Sequence, residues 1–123
     1  MQKNYLFISR NVRKKILRIS HLAQSAHIAS ALSIVDIISI LYLKIINKNY
    51  KNTFILSKGH ACLAHYCLLN EIGIISNKTL KSYGKNNSIL MSHSSHKVKG
   101  VEFSTGSLGH GLPVATGIAM SKL

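Results

Sequence analysis

The chain has 123 residues, about the size of one domain, and its 46% hydrophobic content is that of a globular protein with a buried core. Sixteen Lys and Arg stand against three Asp and Glu, a formal charge of +13 that favours anionic partners. Composition excludes a disulfide scaffold and a bilayer span: Cys62 and Cys67 fit no zinc or CxxC spacing, and the longest apolar segment, 34–46, is interrupted by Asp36, Ser39 and Lys44.

Only Arg10, Arg13, Lys14, Lys15 and Arg18 form a dense basic group. Over 11–26, Val12, Ile16, Ile19 and Ala23 recur at helical spacing, so the basic group is the solvated face of an amphipathic helix. No aromatic residues interleave with it as base-stacking platforms would, which argues against nucleic acid as a partner. Residues 24–30 are small and polar, a break. Ser33 and Asp36 then stand as a capping box before a helix over 34–46, expected to be buried because it is apolar nearly all round. A polar loop follows over 47–52.

Thr53-Phe54-Ile55-Leu56-Ser57 is short, β-branched and aromatic, and predicts one buried strand. Lys58-Gly59-His60 turns the chain into a helix over 61–71 that stops near Gly73, and the two cysteines are small buried residues of that helix, as suits a reducing cytoplasm. A short helix over 76–83, capped by Ser76 or Asn77, ends at Gly84, and 85–99 is loop. Residues 100–112 read GVEFSTGSLGHGL, a glycine-rich turn that opens a helix over 112–123 with Pro113 in its first turn. Such a turn offers free N–H groups and a positive dipole end to an anionic or polar ligand. The fold class is α/β, mostly helical. One strand cannot make a sheet alone, so the domain is expected to be incomplete or to pair with other material.

Seven histidines against three carboxylates is an unusual ratio for acid–base chemistry. His27, His60, His93, His96 and His110 fall in predicted breaks or turns, whereas His21 and His65 lie within helices. No HExxH pair, GxGxxG after a strand, P-loop or GxSxG elbow is present, so no metal ligand is assigned.

Three stretches, SAHIASALSIVDIISILY at 25–42, FILSKGHACLAHYCLL at 54–69 and GVEFSTGSLGHGL at 100–112, with His93 before the last, resemble the N-terminal segment of transketolase. The resemblance runs from about Val12 onward and is closest in kind to the split, N-terminal-subunit form. It implies the front part of a thiamine diphosphate-binding fold, 1–123 being a single partial domain. It also implies transfer of a two-carbon ketol unit between sugar phosphates with thiamine diphosphate and Mg²⁺ in the cytoplasm. By position, His27 and His93 match substrate-side catalytic histidines, and His60 matches the SKGH histidine beside the cofactor diphosphate. Gly106, Ser107 and Leu108 match the segment that cradles the cofactor rings, and His110 takes a supporting position often held by glutamine.

Ala26 and Ala29 stand where the family has glycines beside the first histidine, and Ser92-His93-Ser94 replaces Gly-His-Pro. The family's GDG motif and downstream Asn, which complete the Mg²⁺–diphosphate site, do not occur here. The expectation is therefore a fragment or subunit inactive alone, completed by a C-terminal transketolase subunit or a homodimer. The alternative is a degenerate, non-catalytic basic interaction module.

Overall fold

The computed structural model describes residues 4–46 and 52–122. Within them lie six α-helices: α1 (Tyr5–Ala23), α2 (Ile28–Leu32), α3 (Val35–Ile40), α4 (Cys62–Glu71), α5 (Asn77–Leu80) and α6 (Gly111–Met120). A π-helical turn, Leu41–Ile45, extends α3, and a 3₁₀ turn, Gly59–Ala61, leads into α4.

Helix α4 is the centre. Every residue from Cys62 to Asn70 is buried, so this helix has no solvent face and must be wrapped by others. Helix α1 supplies one wall. Its Ile8, Val12, Ile16 and Ile19 share one face and are at most 6% exposed, and α1 packs on both α4 and α3. Asn4 caps α1, its Oδ1 accepting from the Leu6 N–H, so the helix starts earlier than the apolar spacing alone indicates. Its basic face is only partly free: Arg13 pairs with Asp36 at 2.6 Å, and Lys15 reaches Glu71 at 2.6 Å and Asn70.

Three expectations are corrected. Residues 53–57 do not form a strand: no neighbouring chain lies alongside the segment in a ladder among the described residues. The one β-bridge there is an isolated antiparallel pair, Ser94 with Thr105. The capping box at Ser33 and Asp36 does not form either. Ser33 ends α2 and donates to the Ser30 carbonyl, while Arg13 draws the Asp36 carboxylate away and holds it below its ordinary pKa. Helix 34–46 is not wholly buried, because Ile37 and Ile40 face solvent. Residues 47–51 of the expected 47–52 loop lie outside the described residues.

Other signals hold. Gly73 takes a left-handed φ of 86° just after α4, and Gly84 one of 70° after the helical turns that follow α5. Ser76 caps α5, its Oγ accepting from the Thr79 N–H. Cys62 and Cys67 are free and buried. No helix among the described residues is long and apolar enough to cross a membrane.

His65 of α4 is fully enclosed, with Nε2 against the Tyr42 hydroxyl and Phe54 packed edge-on at 5.1 Å. Burial lowers its pKa to about 4, below the 6.5 of an exposed imidazole. The folded state therefore holds His65 neutral where the unfolded chain protonates it. Its stabilising contribution is complete above pH 6.5 and is lost as pH falls toward about 4. Urea denaturation across this window is expected to lose on the order of 3 kcal/mol through this group. His65→Gln should flatten that part of the pH profile. An unchanged slope in the variant would show that other groups set it.

Candidate functional site

Three sequence-distant histidines meet at one place. His27 sits at the corner between α1 and α2, His60 in the 3₁₀ turn before α4, and His93 in the loop after α5. Their ring centroids are 4.8 Å apart for His27–His60, 4.5 Å for His60–His93 and 6.0 Å for His27–His93, each pair edge-on.

Each ring is placed by its own backbone device. His27 adopts a left-handed φ of 68°, unusual for a side chain of this size, at the N-cap of α2. Ala26 and Ala29 beside it are exposed, so their methyl groups do not crowd the interior. His60 is fixed by Gly59: a Cβ there would lie 2.1 Å from the Thr105 carbonyl oxygen. Thr105 in turn donates its hydroxyl to the Leu56 carbonyl at 2.6 Å and pairs with Ser94. His93 is anchored from below, where Tyr66 of α4 donates its hydroxyl to the His93 carbonyl at 2.9 Å.

The cluster contains no carboxylate. Asp36 is paired with Arg13 and Glu71 with Lys15, both on α1. The His93 ring is held below the ordinary imidazole range, first by partial desolvation and then by its neighbours His60 and His27. A neutral ring such as that of His93 can accept a proton from one ligand atom and return it to another near neutral pH. Among the described residues no group of histidines, cysteines and carboxylates could hold a metal ion.

Of the remaining expected residues, Gly106 is the one that lies against the cluster, a Cβ there coming 3.8 Å from the His93 ring. Ser107 and Leu108 are exposed, Leu108 at 69%. Gly109 takes φ 84° and donates its N–H to the Ser57 carbonyl, which folds the glycine-rich loop back on the SKGH turn. His110 stands apart with its ring on Phe103, and His96 bonds Ser104. Lys58 donates to the Ser33 hydroxyl at 2.9 Å. The sequence carries no signal for the roles of Tyr66 and Thr105, since nothing about a tyrosine inside an apolar helix shows that its hydroxyl holds a distant loop.

Residues 9–123 match the family described as transketolase, thiamine diphosphate binding domain. The chain belongs to that family. It is 38% identical over 119 residues to an apulose-4-phosphate transketolase subunit of Actinobacillus succinogenes, covering 89% of this chain and 43% of the relative. The corresponding protein of Phocaeicola vulgatus is 35% identical over 116 residues, covering 89% and 41%. The chloroplastic transketolase of Solanum tuberosum is 32% identical over 110 residues, covering 81% and 15%. The chain thus spans about two fifths of the length of the two bacterial relatives.

The site of this transketolase-family chain fits part of the family's cofactor. His60 Nδ1 and Ser57 Oγ are among seven buried side-chain atoms without a protein hydrogen-bond partner among the described residues, and at the loop they are the ones a polar ligand could satisfy. Open space beside Gly109 and the exposed Leu108 leaves room for a ring system against the loop.

The Gly59 contact is directly testable. Gly59→Ala forces backbone against backbone and is expected to destabilise the fold by more than ~2 kcal/mol in urea denaturation. Gly117→Ala, in α6 with no atom within 4 Å of the new methyl, should instead stabilise by about 0.5 kcal/mol. Equal effects at both positions would show that the Gly59–Thr105 approach does not constrain the site.

Proposed function

We propose that this chain is the N-terminal part or subunit of a transketolase-like enzyme that moves a two-carbon ketol unit between sugar phosphates with thiamine diphosphate, and that it is inactive alone. The observation that supports this reading best is the convergence of His27, His60 and His93 beside the glycine-rich loop. The names of the two bacterial relatives, both transketolase subunits, point the same way.

When bound, thiamine diphosphate supplies an acidic thiazolium carbon that serves as nucleophile and electron sink. The residues here do the rest. His60 donates from its ring to a diphosphate oxygen. Gly106 and Ser107 would offer backbone to the cofactor rings, and Leu108 would offer them an apolar surface. His27 and His93 face the substrate and exchange protons with its hydroxyl and carbonyl oxygens, a role suited to rings with no carboxylate fixing their charge. Mg²⁺ would neutralise the diphosphate and would need oxygen ligands other than these residues. A C-terminal transketolase subunit or a second copy of the protein completes the site.

A chimera in which this chain replaces the matching region of the Actinobacillus succinogenes relative, measured together with that enzyme's other components, is expected to transfer ketol units. His93→Ala in the chimera should lower kcat by about 100-fold, the usual size of a general acid–base contribution. A folded chimera without transfer, or with full activity after that substitution, contradicts the assignment. Titration calorimetry of the isolated chain with thiamine diphosphate and Mg²⁺ should show only weak heat; tight binding would overturn the claim that the chain needs completion.

A further inference from the structure

Helix α4 reaches the loop after α5 through two side chains one helical turn apart. Cys62 donates its thiol to the Met91 carbonyl at 3.5 Å, and Tyr66 donates its hydroxyl to the His93 carbonyl at 2.9 Å. The Ser95 backbone amide interacts with the same hydroxyl. Both side chains are fully buried on a helix enclosed from Cys62 to Asn70, so they are fixed points against which the loop is set. A thiol is a weak donor, and the phenol is the stronger of the two. Burial pushes the Tyr66 phenol above its ordinary pKa, so it stays a donor throughout the range in which imidazoles titrate.

The influence of this bond extends past His93. The next residue, Ser94, accepts the Thr105 N–H at 3.2 Å, and the Thr105 hydroxyl donates to the Leu56 carbonyl at 2.6 Å. Gly106 follows, where a Cβ would come 3.8 Å from the His93 ring. One hydroxyl on α4 therefore begins a path that sets His93, the glycine-rich loop and the SKGH turn relative to one another. The His93 ring itself is held loosely, with Ser92 Oγ 3.4 Å from Nδ1. Its position follows its backbone.

We propose that Tyr66 is a positioning residue for His93, its hydroxyl holding the ring against His60 and beside Gly106. Tyr66 is itself enclosed and acts only through the loop. That His93 exchanges protons with a substrate rests on the transketolase reading above; the hold of Tyr66 on the His93 backbone does not.

The titratable groups facing the His93 ring are His60 from the 3₁₀ turn, with centroids 4.5 Å apart, and His27 from the α1–α2 corner, at 6.0 Å. Helix α4 meets its backbone with Tyr66, and the glycine-rich loop brings Gly106. Desolvation, and then His60 and His27, hold the ring below the ordinary imidazole value. Cutting the hydroxyl bond lets the loop relax outward, which returns water to the ring and weakens the repulsion from both neighbours. The His93 pKa then rises.

The test is ¹H–¹³C NMR of the imidazole rings in the full chain across neutral pH, with His93 assigned by its absence in His93→Gln. Tyr66→Phe keeps the aromatic ring and removes the hydroxyl. In it the His93 midpoint is expected to rise toward 6.5, and the contacts of His93 with His60 and Gly106 to weaken. Tyr83→Phe removes the hydroxyl of the adjoining buried ring, beside Ser25 and Cys62, and should leave His93 unchanged. Cys62→Ala cuts the weaker bond to the loop and should move His93 in the same direction by less. An unmoved His93 in Tyr66→Phe overturns the proposal, as does an equal shift in Tyr83→Phe. If Tyr66→Phe does not fold, an unmoved His93 in Cys62→Ala overturns it instead. In the chimera, Tyr66→Phe should lower kcat about tenfold, the scale of one lost positioning bond, and move the acid limb of the pH–rate profile upward. Full kcat with an unmoved profile also overturns the proposal. A chimera that transfers nothing with Tyr66 intact removes the transketolase reading, and the His93 midpoint then judges Tyr66 by itself.

Discussion

The contact on which the site depends is the approach of Thr105 to Gly59. Main chain meets main chain there with no room for a methyl group, and the Thr105 hydroxyl reaches past it to the Leu56 carbonyl. This pins the glycine-rich loop to the SKGH turn. Gly111 repeats the device a few residues on, since a Cβ there would lie 2.8 Å from the Ser57 Cα. Two glycines thus dock the start of α6 and the turn before α4 against each other, and His60 and His93 are carried into contact. Small residues here serve close packing of backbone and are not merely flexible links.

Helix α4 provides the rigid floor. A helix buried on every side gains its stability from what surrounds it, and here it in turn holds loops in place: Tyr66 fixes the His93 carbonyl, and His65 ties to Tyr42 in the π-helical turn. Tyr42 also reaches toward the Gly100 carbonyl, where the glycine-rich stretch begins. Polar side chains inside this core therefore specify loop positions, while the aliphatic residues around them supply the burial.

Two of the three carboxylate side chains are engaged away from the histidine cluster. Asp36 and Glu71 are held by Arg13 and Lys15 on α1, so neither carboxylate orients or charges the three rings. Desolvation first, and then the neighbouring His60 and His27, oppose protonation of His93.

Much of this was legible in the sequence. The amphipathic spacing of α1, the stops at Gly73 and Gly84, the Ser76 cap and the SKGH and STGSLGHGL motifs are local or are carried by residue order, so no tertiary information was needed to find them. The strand at 53–57 and the capping box at Ser33 and Asp36 failed for a common reason. A strand exists only when another chain satisfies its hydrogen bonds, and a cap only when no stronger partner claims its carboxylate; Arg13, distant in sequence, did so. By itself, the sequence determined which residues carry the family's motifs and in what order. Only the tertiary structure decided that His27, His60 and His93 touch, that Tyr66 holds the His93 carbonyl and Thr105 packs on Gly59, and that a pocket opens beside His27. Those facts depend on contacts between residues dozens of positions apart, which no local pattern encodes.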